Sequence, residues 1–274
     1  MLRERLVVTL LLLPILIWTI AKGGWLFAGA AALVLGFAAA EYGLLFRNAG
    51  LRPSLQLLVI GVALLVLARV DLPLEWQALA LNGLTLIALT WHLLDYERGA
   101  LHSATDFAVS LSGIVYLGWI GGYLVLLRSL PEGQWWILIA LPSVWIADSA
   151  AYLVGSWKGK RPLTPRLSPK KTWEGYLAGV VFGGAAGAGL AGLWSIAAGP
   201  DSGLTVVRGL VLGGLIALLS PLGDLGISMI KREMKAKDTG TLFAAHGGAL
   251  DRLDSWLWAG VLGYYAVGWL TRGA

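Results

Sequence analysis

P-L-G-D-L-G-I-S-M-I-K-R-E-M-K-A-K-D-T-G-T-L-F-A-A-H-G-G-A-L-D-R-L-D-S, residues 221–255, joins two apolar segments through a densely charged one. It opens in a glycine-studded apolar run, turns polar within a helical turn of Asp224, and stops where another apolar run begins. Between Asp224 and Asp254 it carries Lys231, Arg232, Lys235, Lys237, Asp238, His246, Asp251 and Arg252. With helix up to Lys235, the residues Asp224, Ser228, Lys231 and Lys235 share one face. Asp251, Asp254 and Ser255 are spaced to share another. Two carboxylate-bearing helix ends thus flank a basic loop broken by Gly247 and Gly248, which suits a metal ion and phosphates.

The apolar runs on either side set the fold class. The chain has 274 residues, 57% of them apolar and 14% charged, against roughly 25% charged in a soluble domain. Its apolar runs approach or exceed the length of about 20 residues that spans a bilayer. An all-α, polytopic integral membrane protein follows, embedded in the lipid bilayer. Nine spans are expected, at about 6–21, 24–46, 54–70, 76–91, 105–127, 135–156, 174–198, 205–230 and 252–270. The first follows Arg3 and Arg5 as a signal peptide would, but Trp18-Thr19-Ile20-Ala21-Lys22 is a poor cleavage site and a second span follows at once. It reads as an anchored helix. Several of the 14 tryptophans (Trp25, Trp76, Trp91, Trp135, Trp136, Trp157, Trp173) stand near segment ends, as interfacial belts do.

Placing the amino terminus in the cytoplasm puts 16 of the 21 Lys and Arg residues inside and 5 outside. The positive-inside rule selects that orientation. The expected location is the inner (cytoplasmic) membrane, multi-pass, with both charge-dense loops and the active site facing the cytoplasm. Residues 1–130 carry few charges and read as a scaffold of helices. Residues 131–274 read as the catalytic region, continuous with the first part in one membrane domain. The run V-F-G-G-A-A-G-A-G-L-A-G (181–192) reads as close helix packing. Glycine-rich faces also allow a homodimer, and no nucleic-acid partner is expected.

Asp148 lies inside a span, where a carboxylate is costly unless it faces a wet cavity or a partner. The plainer account is an acid satisfied by a hydroxyl or Arg of a neighbouring helix. In K-G-K-R-P-L-T-P-R-L-S-P-K-K-T-W-E-G (158–175), the spacing from Gly155 and the Arg after Lys160 exclude a phosphate loop of the Walker type. Lys170 and Lys171 beside a helix amino terminus would suit phosphate, although cytoplasmic positive charge alone would account for them. Helix-dipole complementation would explain Asp251 and Asp254, but Arg252 between them argues against it. Asp224 is expected deep in its segment, without that excuse. Two such carboxylates at a membrane boundary need a cation to stay ionised. The chain has no Cys and three His, so zinc is improbable and oxygen-bound Mg²⁺ is the expected cofactor, with Asp224, Asp251 and Asp254 as ligands. Glu41, Glu97 and Asp106 are expected to cap or pair near helix ends and receive no further role.

Ser228, Lys231-Arg232, Lys237-Asp238, His246-Gly247-Gly248 and Asp251-Arg252-Leu253-Asp254 stand at the spacings of a known signature. The stretch resembles that of the phosphatidate cytidylyltransferases (CDP-diacylglycerol synthases). Ala244 replaces that family's usual Pro or Gly, and Ala249 its larger aliphatic. The octapeptide Ser168-Pro169-Lys170-Lys171-Thr172-Trp173-Glu174-Gly175 is similar to a second family segment, and Asp148 with Ala151-Tyr152 and Gly155 to a third. The resemblance implies CTP and phosphatidate as substrates, CDP-diacylglycerol and pyrophosphate as products, and Mg²⁺. It implies catalytic roles for Asp224, Asp251, Lys231, Arg252 and His246. Ser168, Lys170, Lys171, Ser228, Arg232, Lys237, Asp238 and Asp148 would bind substrate. His246, taken alone, could equally be a loop residue held by a backbone hydrogen bond. Two other readings stand beside this one. Another membrane transferase of nucleotides or lipid phosphates would carry Asp-rich motifs of different spacing. A cation-coupled transporter would leave eleven basic residues in two loops unexplained.

Overall fold

The structure, a computed structural model, describes residues 13–240 and 248–272. His246 lies outside the described residues. Helices occur at every expected span. They are α1 (described over Leu13–Lys22), α2 (Gly24–Asn48), α3 (Leu55–Leu67), α4 (Leu74–Glu97), α5 (Ser103–Gly113) and α6 (Tyr123–Ser129). Then come α7 (Gly133–Lys158), α8 (Trp173–Ala198), α9 (Val206–Leu219), α10 (Pro221–Glu233) and α11 (Leu250–Thr271). A π-helical stretch, Ile114–Ile120, links α5 to the turn before α6. The chain is an all-α, multi-pass membrane protein. Among the described residues, helical segments at six of the nine expected spans are long and apolar enough to cross a bilayer, two of them composite: Ser103–Ser129 and Val206–Glu233. At 13 residues α3 is shorter; it rises roughly 20 Å, against about 30 Å of hydrocarbon.

The chain folds as two compact units: Met1–Leu126 with Ile230–Leu253, and Leu127–Met229 with Asp254–Ala274. In the first, Gly43 of α2 takes α3 so closely that a Cβ there would lie 2.8 Å from the Leu58 side chain. Gly118 does the same for the π-helical stretch, whose Cβ would fall 3.1 Å from the Val62 Cα. Asp106, in the first turn of α5, accepts the Arg52 N–H at 2.6 Å and so ties the start of α5 to the loop before α3.

In the second unit, the glycine run of α8 meets the glycines of α9. A Cβ on Gly187 would stand 2.9 Å from the Gly213 Cα, and one on Gly213 would stand 2.5 Å from the Gly183 carbonyl oxygen. Close backbone approach of this kind is how helices associate where lipid removes the hydrophobic drive.

Three expectations are corrected. The span read as 205–230 is broken at Ser220, because Pro221 has no N–H to give and starts a new helix. The nearby Leu218 carbonyl is met instead by the Tyr176 hydroxyl at 2.8 Å. The segment between α7 and α8, read as loop, contains an antiparallel hairpin of β1 (Pro162–Thr164) and β2 (Ser168–Thr172). Trp136, read as interfacial, is fully buried, whereas Trp25, Trp76, Trp91, Trp157 and Trp173 are exposed.

The glycine seam is directly testable. Gly187→Leu should cost about 1–3 kcal/mol or more through overpacking. Gly189→Leu, whose Cβ meets nothing within 4 Å, should stay within about 0.5 kcal/mol of wild type. Thermal melting in one detergent compares the two.

Candidate active site

The second unit gathers the residues of two separate motifs. β2 delivers the paired lysines and runs straight into α8, whose N-cap is Thr172: its hydroxyl accepts the Gly175 N–H at 3.2 Å. Glu174, in the first turn of α8, accepts the N–H groups of Lys160 (3.1 Å) and Arg161 (3.3 Å) and fixes the entrance to the hairpin. The absence of side chains at Gly155 and Gly175 lets α7 and α8 touch there. A Cβ on Gly175 would lie 2.5 Å from the Ala151 carbonyl and 3.0 Å from the Gly155 Cα. Strand alternation then separates the lysines, with Lys170 exposed and Lys171 half-buried.

Lys171 Nζ donates to Asp224 Oδ2 in a close ion pair. The other oxygen of Asp224 accepts from the Ser228 hydroxyl at 3.3 Å. Asp148 lies within electrostatic range of both Lys171 and Asp224. Lysine, two carboxylates and a hydroxyl from α7, β2 and α10 therefore form one cluster at the amino terminus of α8. Asp224 is not deep in a helix, as the sequence suggested, but in the first turn of α10, where a carboxylate is favoured. Asp254 is buried in α11, with Oδ1 accepting the Ser255 N–H at 2.6 Å. The backbone beside it touches α10 closely, since a Cβ on Gly223 would stand 2.9 Å from the Asp254 carbonyl carbon.

The first unit holds a second cluster. Lys231 Nζ donates to Asp251 Oδ1 at 2.5 Å, and Asp251 Oδ2 accepts both the N–H and the hydroxyl of Thr239 at 3.0 Å. The helix ends before Lys235, contrary to expectation. Lys235 adopts φ 54° and closes the turn, with its N–H on the Arg232 carbonyl and the Ala236 N–H on that of Lys231. Arg232, Lys237, Asp238 and Arg252 are exposed. A cavity of about 600 Å³ is lined in part by Asn48, Glu233, Lys235, Asp238 and Thr239, a size that takes small ligands.

The cation expected beside Asp224 and Asp251 is present in the protein itself, because each carboxylate has its own lysine. Metal binding is still compatible with these residues. An ionised carboxylate has about four acceptor sites, and Asp251 fills three with protein donors. Among the described residues no three acid or histidine side chains cluster as a preformed cage. Mg²⁺ needs none, being held through one or two carboxylates with water and substrate phosphate.

Sequence reasoning missed Thr172, Glu174 and Thr239 as contributors to the site and gave Glu41 only a capping or pairing role, which its bond from the Leu250 N–H at the start of α11 matches. The first two had a signal in the Thr-x-Glu-Gly run before an apolar segment. Glu41 had one too: an acid within an apolar span.

The two ion pairs differ in exposure, and that difference predicts their contribution to stability. Lys231 and Asp251 are 13% and 14% exposed, Lys171 and Asp224 33% and 36%. Lys231→Met should cost about 3 kcal/mol or more by leaving a buried carboxylate unpaired. Lys171→Met should cost about 1 kcal/mol or less. Equilibrium unfolding in detergent checks the contrast.

Comparison with known proteins adds three findings. The model of a family described as the cytidylyltransferase family matches residues 3–270. A protein of Synechocystis sp. named phosphatidate cytidylyltransferase is 34% identical over 273 residues, covering 89% of this chain and 89% of its own. Proteins of the same name from Pseudomonas aeruginosa and Staphylococcus epidermidis are 33% and 32% identical, covering 93% and 92% of each chain.

Proposed function

This chain belongs to the cytidylyltransferase family, and we propose that it transfers the cytidylyl group of CTP to phosphatidate, forming CDP-diacylglycerol and pyrophosphate. The observation that carries the reading is the Lys171–Asp224 pair. It brings a residue of the octapeptide onto a residue of the 221–255 signature, beside the start of α8.

The chemistry asks for such a cluster. The phosphomonoester carries about −1.5 to −2 charges near neutral pH and must approach a polyanionic triphosphate. An oxygen of phosphatidate bonds to the α-phosphorus, and the bond from that phosphorus to the oxygen bridging to the β-phosphorus breaks. The attacking oxygen is already ionised, so no general base is required and no covalent enzyme intermediate forms. Lys171 is loosely enough held to exchange Asp224 for a phosphate oxygen. Lys170, exposed beside it, adds a mobile positive charge. Arg252 and Arg232 would grip phosphate oxygens, with Lys237, Ser168 and Ser228 as further donors. Lys231 keeps Asp251 oriented.

Mg²⁺ is the proposed cofactor, held by Asp224 and Asp251 with Asp254 in support. When bound it would neutralise phosphate charge. The proposed setting is the inner membrane with the site open to cytoplasmic CTP, and the charge distribution supports that orientation.

The test uses purified protein, labelled CTP, phosphatidate and Mg²⁺. Wild type should form CDP-diacylglycerol, while Asp224→Asn and Asp251→Asn should lose nearly all turnover and stay folded. Lys170→Ala/Lys171→Ala should slow turnover or raise the CTP requirement, and a cysteine at Ala236 should label from the cytoplasmic side. Full activity in Asp224→Asn would remove the site from this cluster.

A further inference from the structure

Glu41 is the only acidic residue of α2 and lies well before the end of that helix, in an apolar stretch. It is 8% exposed. Its Oε2 accepts the N–H of Leu250, the first residue of α11, at 3.0 Å. The Thr239 hydroxyl lies 3.3 Å from the same oxygen and 3.0 Å from Asp251 Oδ2, so its one proton is shared between the two carboxyl groups. Its Oε1 is buried with no hydrogen-bond partner among the described residues. The backbone opposite is shaped around this carboxylate. A Cβ on Gly240 would stand 2.6 Å from Glu41 Cδ, and one on Gly248 would stand 2.5 Å from Oε2.

Capping one N–H of α11 would not require this arrangement. A capping residue comes normally from the chain just before the helix, not from a helix about two hundred positions earlier. Nor does capping explain two glycines closed on the carboxyl group, or an Oε1 buried without a hydrogen-bond partner among the described residues. What Glu41 touches explains more. Thr239 gives its N–H to Asp251 and stands with its hydroxyl between Asp251 and Glu41, and Leu250 directly precedes Asp251. Glu41 thus holds one backbone group, the Leu250 N–H, and shares the Thr239 hydroxyl, so that its two contacts flank the Asp251 carboxylate.

We propose that Glu41 is a positioning residue for cytidylyl transfer, acting through Thr239 and the first turn of α11 to fix the orientation of Asp251. The proposal rests on the reading of the chain as a cytidylyltransferase. It also places a function in α2, within the part of the chain that reads as scaffold.

Glu41→Ala, Glu41→Gln and Thr239→Val test it, in the full-length protein in detergent. Per folded molecule, Glu41→Ala should lower kcat about tenfold or more, as misplacement of a reacting group does, with the KM for CTP moving less than about twofold. Glu41→Gln should recover part of the loss, because its amide oxygen still accepts the Leu250 N–H. Glu41→Ala/Thr239→Val should be little slower than the slower single variant, since both act on one path. Hydrogen exchange without substrates gives an arm independent of the reaction: the Thr239 and Leu250 amides should exchange about tenfold faster in Glu41→Ala. Unchanged exchange would overturn the contact itself. Faster exchange with wild-type kcat would reduce Glu41 to a cap and overturn the positioning role. If wild type made no CDP-diacylglycerol, the proposed reaction would fall, while the exchange arm would still decide whether Glu41 holds the Leu250 amide and, through the Thr239 hydroxyl, steadies the Thr239 amide on Asp251.

Discussion

A carboxylate at a membrane boundary has to be neutralised, and this chain does so with lysines from distant parts of the sequence. Lys171 reaches Asp224 across 53 positions, and Lys231 reaches Asp251 across 20. Much of the local architecture serves these pairings. The hairpin carries the chain from the end of α7 to the start of α8 and sets Lys171 against Asp224. Thr172, Glu174 and the bare backbones of Gly155 and Gly175 hold that return in place. The proline break at Ser220 turns what would be one long span into two helices and gives Asp224 a helix start of its own.

The two pairs are alike in chemistry and different in setting. The Lys231–Asp251 pair is largely buried, supported by Thr239 and flanked by the Glu41 carboxylate. Removing either partner strands a charge. The Lys171–Asp224 pair is a third exposed and rests on one weak hydroxyl contact, so solvent already competes for it. A lysine that contributes little to stability where it sits can move to a substrate phosphate at small cost.

Much of this was legible in the sequence. Apolar run lengths and low charge placed a helix at every expected span, and the spacing of Ser228, Lys231, Asp251 and Asp254 marked the signature. Periodicity could not show that Pro221 would divide a span, because proline is tolerated within membrane helices when other groups satisfy the backbone. That is why Asp224 was read as deep rather than terminal. The lysine partners were invisible for another reason: a pair formed across 53 residues leaves no local pattern. Trp136 misled because an amphipathic ring near a segment end reads the same whether it faces lipid headgroups or the core. Glu41 was legible by the argument applied to Asp148, an acid in an apolar span, but its partners, Thr239 and Leu250, lie about two hundred positions away within the signature.

The central claim is that the Lys171–Asp224 pair is there for chemistry rather than for folding. Exchanging the charges, in Lys171→Asp/Asp224→Lys, separates those two roles in one protein. The swap keeps an opposite-charge pair between β2 and α10 but puts a carboxylate where substrate phosphate would meet a lysine. Turnover of CTP and phosphatidate by the swapped protein, alongside its melting temperature, is the most direct measurement. The account predicts a melting temperature near wild type and no detectable CDP-diacylglycerol. Recovery of wild-type turnover in the swap would contradict it, and would make the pair a structural clasp.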